Sequence, residues 1–290
     1  MDKKDWQIID TVFTEKNITR ASLKLFMSQP TVTYRIKQIE KELDIEILHR
    51  GRHGVEFTEQ GMYFAKYAKS MLKEYRSLEE NLSNLSNEPQ GLLRIGAARA
   101  IASHQLPKVL AGFNKKYPAV SFDIETGLNL DIAQGVYKED FHLGIIRGNH
   151  HWSDEKHELF KESITIISLK EIDLQTLAEQ NRITYQTDPA LNMHIDNWWR
   201  DNYKFPPKIL MSVDNMEIAK KMVINGLGYA IVPKIILNDR EDQQLKQFDL
   251  CDKNNEPLLW ITSLLYKKDT LNLSFVRDFI KFIKEASPPI

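Results

Sequence analysis

Apolar residues return every three or four positions at the start of the chain, and the phase of that repeat breaks twice. Trp6, Ile9 and Phe13 share one face of a first helix, and Ile18, Ala21 and Leu25 share one face of a second. Val32, Ile36, Ile39 and Leu43 form the stripe of a third. Ala21 is small where a crossing helix must come close. Ser28 is a good N-cap for the third helix, and Pro30 suits its opening turn, where no backbone N–H is needed. A short apolar run at 45–48 and another at 55–57 flank a polar, glycine-bracketed turn, which predicts a hairpin. From Gly61 the apolar or small positions are Phe64, Ala68, Met71, Tyr75, Leu78, Leu82 and Leu85. Their spacing alternates between three and four, as in a coiled-coil seam. A helix packed on its own C-terminal domain is the competing use of that stripe. Pro89, within Asn87-Glu88-Pro89-Gln90, ends the helix.

Beyond residue 90 the pattern changes to short apolar runs alternating with helical periods. Strands are predicted at 92–97, 120–126 and 141–146, with a helix marked by Leu106, Leu110 and Phe113. A second series follows, with strands at 164–169, 183–185, 209–213 and 229–232 and helices at 192–203 and 216–224. Two such series imply two α/β lobes with a crevice at their strand ends. A last helix at 271–285 is expected to return to the first lobe.

Charge gives the first three helices a purpose. No acidic residue occurs from Asn17 to Lys37, where Arg20, Lys24, Arg35 and Lys37 are the ionised side chains. At 100° per residue, Pro30, Tyr34, Lys37, Gln38 and Lys41 fall opposite the apolar stripe of the third helix. A helix with core on one face and amide, aromatic and ammonium groups on the other suits a DNA major groove. Gln29 and Thr33 are candidate base readers, because glutamine matches the adenine edge and threonine packs on a thymine methyl. Thr19, Ser28 and Thr31 join them as hydroxyl-bearing candidates for DNA contact. In the hairpin turn, Arg50, Arg52 and His53 could lie along phosphates or enter a minor groove. An ordinary surface αα-hairpin followed by a plain β-hairpin is the alternative.

At this point the order of residues resembles the LysR-type transcriptional regulators. The likeness is carried by Thr19, Ala21, Ser22 and Leu25, by Ser28-Gln29-Pro30, by Val32, Ile36 and Ile39-Glu40, by Arg50, and by Thr58-Glu59-Gln60-Gly61. Asp44 stands where a glycine is usual after the third helix, and Leu48 where a phenylalanine is usual in the wing. The stretch 226–233, Gly-Leu-Gly-Tyr-Ala-Ile-Val-Pro, matches a helix-to-strand ending of the family's effector domain. The resemblance implies a winged helix-turn-helix over 1–58, a dimerising linker helix over 59–87, and a two-lobed, periplasmic-binding-protein-like α/β effector domain. Lobe I takes 91–162 with 266–290, and lobe II takes 163–265. Promoter DNA, a small-molecule effector and RNA polymerase are the implied partners. The implied assembly is a homodimer or homotetramer, working in a bacterial cytoplasm at the nucleoid.

Composition narrows the rest. Residues 1–76 hold 14 basic and 11 acidic side chains, against 25 and 29 in the remainder, so the small basic excess lies in the proposed DNA module. One cysteine, Cys251, rules out an internal disulfide framework and suits a reducing compartment. No apolar run is long enough to span a membrane. His142, His150, His151 and His157 match no zinc spacing, and neither a metal nor another cofactor is expected. Gly226-Leu227-Gly228 precedes a strand, the wrong polarity for a dinucleotide loop. With no nucleophile elbow or paired carboxylates either, an enzyme fused to a DNA-binding head is disfavoured.

For the crevice, Arg99, Ala100 and Ser103 follow the first strand, Gly127 ends the second and Arg147 ends the third. An arginine beside a helix start favours an anion, so the expected effector is a carboxylate clamped by arginine. Solvated or internally paired arginines are the alternative. The stretches 146–149 and 255–258 resemble the subgroup that answers citrate-like acids, but Trp260 stands where a second cation is expected. That departure points to a less charged or partly aromatic ligand, or else to a core tryptophan.

Overall fold

The computed structural model describes residues 1–51, 54–86, 88–237 and 240–286. Two compact units divide the chain, Met1–Ser86 and Asn87–Ile290.

The first unit is built from α1 (Lys3–Glu15), α2 (Ile18–Lys24), α3 (Gln29–Leu43), a hairpin of β1 (Leu48–Gly51) and β2 (Gly54–Phe57), and α4 (Glu59–Asn84). Each helix begins where a side chain accepts from an otherwise orphan backbone N–H. Asp2 and Asp5 form a reciprocal capping box for α1. Asn17 accepts from Arg20, Ser28 from Thr31 and Thr58 from Gly61. The core joins Ile8, Ile9 and Val12 of α1 to Ala21, to Val32, Ile36 and Ile39 of α3, to Ile47, and to Phe64, Ala65 and Ala68 of α4. Ala21 is fully buried at the helix crossing, whereas Leu43 is exposed, so the stripe of α3 ends at Ile39. Asp44 does adopt the left-handed cap conformation, with φ 53°. Gly61 has a packing reason: a Cβ there would lie 2.1 Å from the Ile47 carbonyl oxygen.

In the second unit a mixed sheet carries both lobes. Its strands are β3 (Gly91–Ala98), β4 (Val120–Gly127), β5 (Leu143–Arg147), β6 (Glu155–Ser168), β9 (Ala230–Pro233), β10 (Lys246–Asp249) and β11 (Leu259–Tyr266). The order is β10-β6-β11-β5-β3-β4, with β9 also on β6. A separate parallel pair, β7 (Asn181–Tyr185) and β8 (Lys208–Val213), touches the sheet through a bridge from Arg182 to Tyr229. Helices α5 (Arg99–His104), α6 (Leu106–Lys116) and α7 (Asn129–Tyr137) belong to the first βα series. Helices α8 (Pro189–Asn202) and α9 (Met216–Ile224) belong to the second. Helix α10 (Ser274–Ala286) buries Phe275, Val276, Phe279, Ile280 and Ile283 in the core shared with β3, β5 and α6. Those five side chains contribute on the order of 10 kcal/mol of apolar transfer before chain entropy is charged against it.

The two-lobed α/β architecture is as expected, but the joint between the lobes is not. Strand β6 runs through both: its first part pairs with β11, and its last part pairs with β9 and β10. No strand was predicted at 259–266 or 155–163. The lobes are thus joined by two long antiparallel strands, with a register shift between Thr262 and Ser263. Gly226 has φ 78°, and a Cβ on Gly228 would meet the Asn181 carbonyl at 2.1 Å. This glycine pair therefore turns α9 into β9 against the start of β7.

Candidate nucleic-acid interface and effector crevice

The opening of α3 presents a polar surface. Gln29, Pro30, Thr31, Tyr34, Lys37, Gln38 and Lys41 are exposed and Thr33 is half-buried, while Val32 and Ile36 point inward. The Gln29 amide donates to the Thr33 hydroxyl at 2.9 Å, so the two candidate base readers hold one another in position. The hydroxyls of Ser28 and Thr31 lie 2.7 Å apart, which ties Ser28 to its capping role. Thr19 and Arg20 are exposed at the start of α2. Lys24, counted above with the basic surface, pairs with Glu15 at 2.5 Å.

Arg35 departs from expectation. Its guanidinium makes a two-pronged bond to the fully buried Asp5, at 2.5 and 2.9 Å, with Asp2 3.7 Å away. The hydrogen bond and charge of Asp5 hold this guanidinium above even its usual range. Arg35 lies beside the apolar stripe rather than opposite it, which brings it against α1. It braces α1 to α3, with its side chain still 40% exposed. Arg52 and His53 lie outside the described residues, as does the side chain of Arg50; the strands on either side pair from Leu48↔Phe57 to Gly51↔Gly54.

The seam of α4 is also shorter than its periodicity suggested. Phe64 and Ala68 are buried in the core of their own unit and are not free to meet a partner chain. Met71 is half-buried, and Tyr75, Leu78, Leu82 and Leu85 are exposed, Leu85 by 81%. Lys3 lies 4.0 Å from the centre of the Tyr75 ring and pairs with Glu79 at 2.8 Å, flanking the stripe with charge. A three-and-four repeat cannot reveal where α1 stops covering α4.

In the second unit, Arg99 and Ser103 are exposed, Ala100 is half-buried just after β3, and Gly127 is half-buried at the end of β4. Arg147 does not stand free in the crevice. It is only 4% exposed and is ion-paired with Glu162, itself 4% exposed, whose other oxygen accepts from the Ile235 N–H. Burial pushes the Glu162 carboxyl up and the Arg147 guanidinium down, each partly countered by the other's charge. The Arg147 Nε has no partner among the described residues. Trp260 is likewise core, packed with Ile164, Trp198 and Tyr229 and edge-on to His194. The strand-end position of Arg147 suggested exposure, but β11 and β6 cover it on the sheet.

Among the described residues, side chains of the two lobes also meet at two other places. The buried Asn129 amide donates to the Arg147 carbonyl at 2.7 Å and to Asp188 at 2.6 Å, and its oxygen accepts from the Arg147 N–H. His104 and Glu217 meet at 2.5 Å. Periodicity found none of these four residues. Asn129 and Asp188 are signalled only by standing just after strands at helix starts, a position shared by many residues with a purely local capping role. His142 is buried with its Nδ1 accepting from the Arg94 N–H, and His150 meets the Asn129 amide at 3.2 Å.

Comparison with known proteins agrees with this arrangement in both units. Residues 4–62 match the model of the bacterial regulatory helix-turn-helix proteins of the lysR family, and residues 86–288 match the LysR substrate binding domain. The chain belongs to the LysR family of transcriptional regulators. A relative, the HTH-type transcriptional regulator YraN of Bacillus subtilis, is 37% identical over 98% of both chains. A second from the same organism, YkuM, is 29% identical over 98% of this chain and 97% of its own. Among solved structures, the LysR family regulator CbnR superposes with a TM-score of 0.69 over 99% of this chain and 100% of its own, at 16% identity. The Vibrio cholerae activator AphB gives 0.67 over the same shares, also at 16% identity. At such low identity these two speak for the LysR fold alone. As a member of the family, this chain is a DNA-binding transcriptional regulator with a substrate-binding domain.

Proposed function

We propose that the protein works as a homodimer, with dimers pairing into tetramers, that reads a two-fold symmetric promoter site and responds to a small carboxylate. The observation that carries the DNA reading is the exposed, acid-free opening of α3, with Gln29 locked to Thr33. Leu78, Leu82 and Leu85 supply the apolar stripe for pairing two chains. The effector is held where the two lobes meet, beside Arg99, Ala100, Ser103 and Gly127. Of the two arginines assigned to the crevice, Arg99 keeps its guanidinium exposed, whereas Arg147 is neutralised by Glu162. One guanidinium matches one carboxylate in bidentate fashion. A monocarboxylate therefore fits better than the tricarboxylates of the citrate-responsive subgroup.

Ligand acts by changing the separation of the lobes and hence how paired dimers lie on DNA and meet RNA polymerase. It must bind one assembly state more tightly than the other, since equal affinity switches nothing. In this reading the protein resides in the cytoplasm, at the nucleoid. Calorimetric titration with a panel of mono-, di- and tricarboxylates tests the effector reading on wild type and Arg99→Ala. Binding of one acid by wild type that is lost in the variant supports the clamp; equal affinities overturn it.

A further inference from the structure

Among the described residues of the first unit, Phe26 is the most exposed large apolar side chain. It is 97% exposed, although its neighbours Leu25 and Met27 both pack on the core of the first unit. Its backbone has φ 53°, the left-handed conformation that ordinarily selects glycine or asparagine. Two hydrogen bonds hold it there: the Phe26 N–H donates to the Leu23 carbonyl at 3.2 Å, and the Met27 N–H donates to the Ser22 carbonyl at 2.9 Å. These bonds end α2 and would be made equally well by glycine. A β-carbon at positive φ and a benzyl ring in water are both unfavourable. Strain kept at such a position is characteristic of functional sites.

The position supplies the reason. Phe26 sits in the turn immediately before Ser28 and Gln29, at the rim of the surface that α3 offers to a groove. In helix-turn-helix docking the recognition helix enters by its N-terminal residues, so the preceding turn meets the groove edge. We propose that the Phe26 ring packs on the apolar surface of duplex DNA at that edge, either a deoxyribose face or a thymine methyl, and so sets how deeply α3 seats. Arg20, exposed nearby in α2, is cationic, and the stretch from Asn17 to Ile39 contains no acid to repel the duplex. The inference rests on α3 being the helix that enters the groove.

The test uses the full-length protein and a duplex that the wild type has enriched from a randomised pool. Phe26→Asn removes the ring and accepts the left-handed backbone, so its melting temperature should match or exceed that of wild type. Its affinity for the duplex should fall about tenfold, a loss typical of an apolar contact, with the slope of log K against log salt unchanged. Phe26→Tyr should keep wild-type affinity. Replacing each thymine by uracil in turn separates the two surfaces: a loss confined to the protein with an aromatic ring identifies a methyl, and no loss identifies the sugar. Phe26→Asn binding within twofold of wild type overturns the proposal and leaves the ring to a protein partner. If Gln29→Ala and Lys37→Ala are also without effect, the docking of α3 itself is what has failed.

Discussion

Replacing Arg147 by methionine removes the guanidinium facing Glu162 while keeping an unbranched chain of similar length. The carboxylate stays buried, with the Ile235 N–H still donating to its other oxygen. Breaking a buried pair in this way costs about 3–5 kcal/mol, because it leaves an uncompensated charge. The sign of the pH dependence follows from Glu162. Burial already raises its pKa above the ordinary value, and loss of Arg147 removes the opposing charge and raises it further. A carboxyl whose folded pKa exceeds its unfolded one favours the folded state most below the ordinary glutamate range. That contribution disappears as pH climbs through the folded value. The deficit of Arg147→Met relative to wild type should therefore be smallest below the ordinary glutamate range and should grow as pH rises through the raised folded value. Adding Glu162→Leu removes the stranded charge, and the double variant should recover to within about 2 kcal/mol of wild type. Urea titration of the full chain, followed by tryptophan fluorescence at two pH values, measures all three proteins. The second unit contains Trp152, Trp198, Trp199 and Trp260, so it dominates the signal. A single variant as stable as wild type, or a deficit equal at both pH values, would refute the reasoning.

Other outcomes follow from the same geometry. Gln29→Ala should relax base preference by about 1–3 kcal/mol at one position of each half-site, whereas Lys37→Ala should weaken all duplexes alike and lower the salt slope by about 1; competition gel shifts across salt concentrations separate the two. Leu78→Asp with Leu82→Asp should yield monomers in sedimentation velocity, while Phe64→Ala should instead lower the melting temperature of the first unit by unpacking its core. Gly61→Ala forces a methyl into the Ile47 carbonyl and should cost about 1–3 kcal/mol in thermal unfolding, with no change in the DNA sequence preferred by the molecules that remain folded.

What could be read directly was whatever depends on near neighbours in the chain. The helix start at Ser28, the apolar stripe through Val32, Ile36 and Ile39, and the alternation of strands and helices after residue 90 are all of this kind. Capping and periodicity act over a few residues, so their signals survive in one dimension. The family motif rests on the same local features, with Gly61 serving a contact to Ile47 that the motif records without explaining. Pairings across long separations were not legible. Arg35 has the same local context as Lys37, yet one meets Asp5 and the other meets solvent, because α1 packs against one side of α3. Phe64 and Leu78 occupy equivalent places in one repeat, and only the reach of the first unit's core separates them. Arg147 closes a strand as a crevice ligand would, but β6 and β11 bring Glu162 to it. Burial and charge pairing depend on what arrives from far along the chain, and it is folding that brings those partners together.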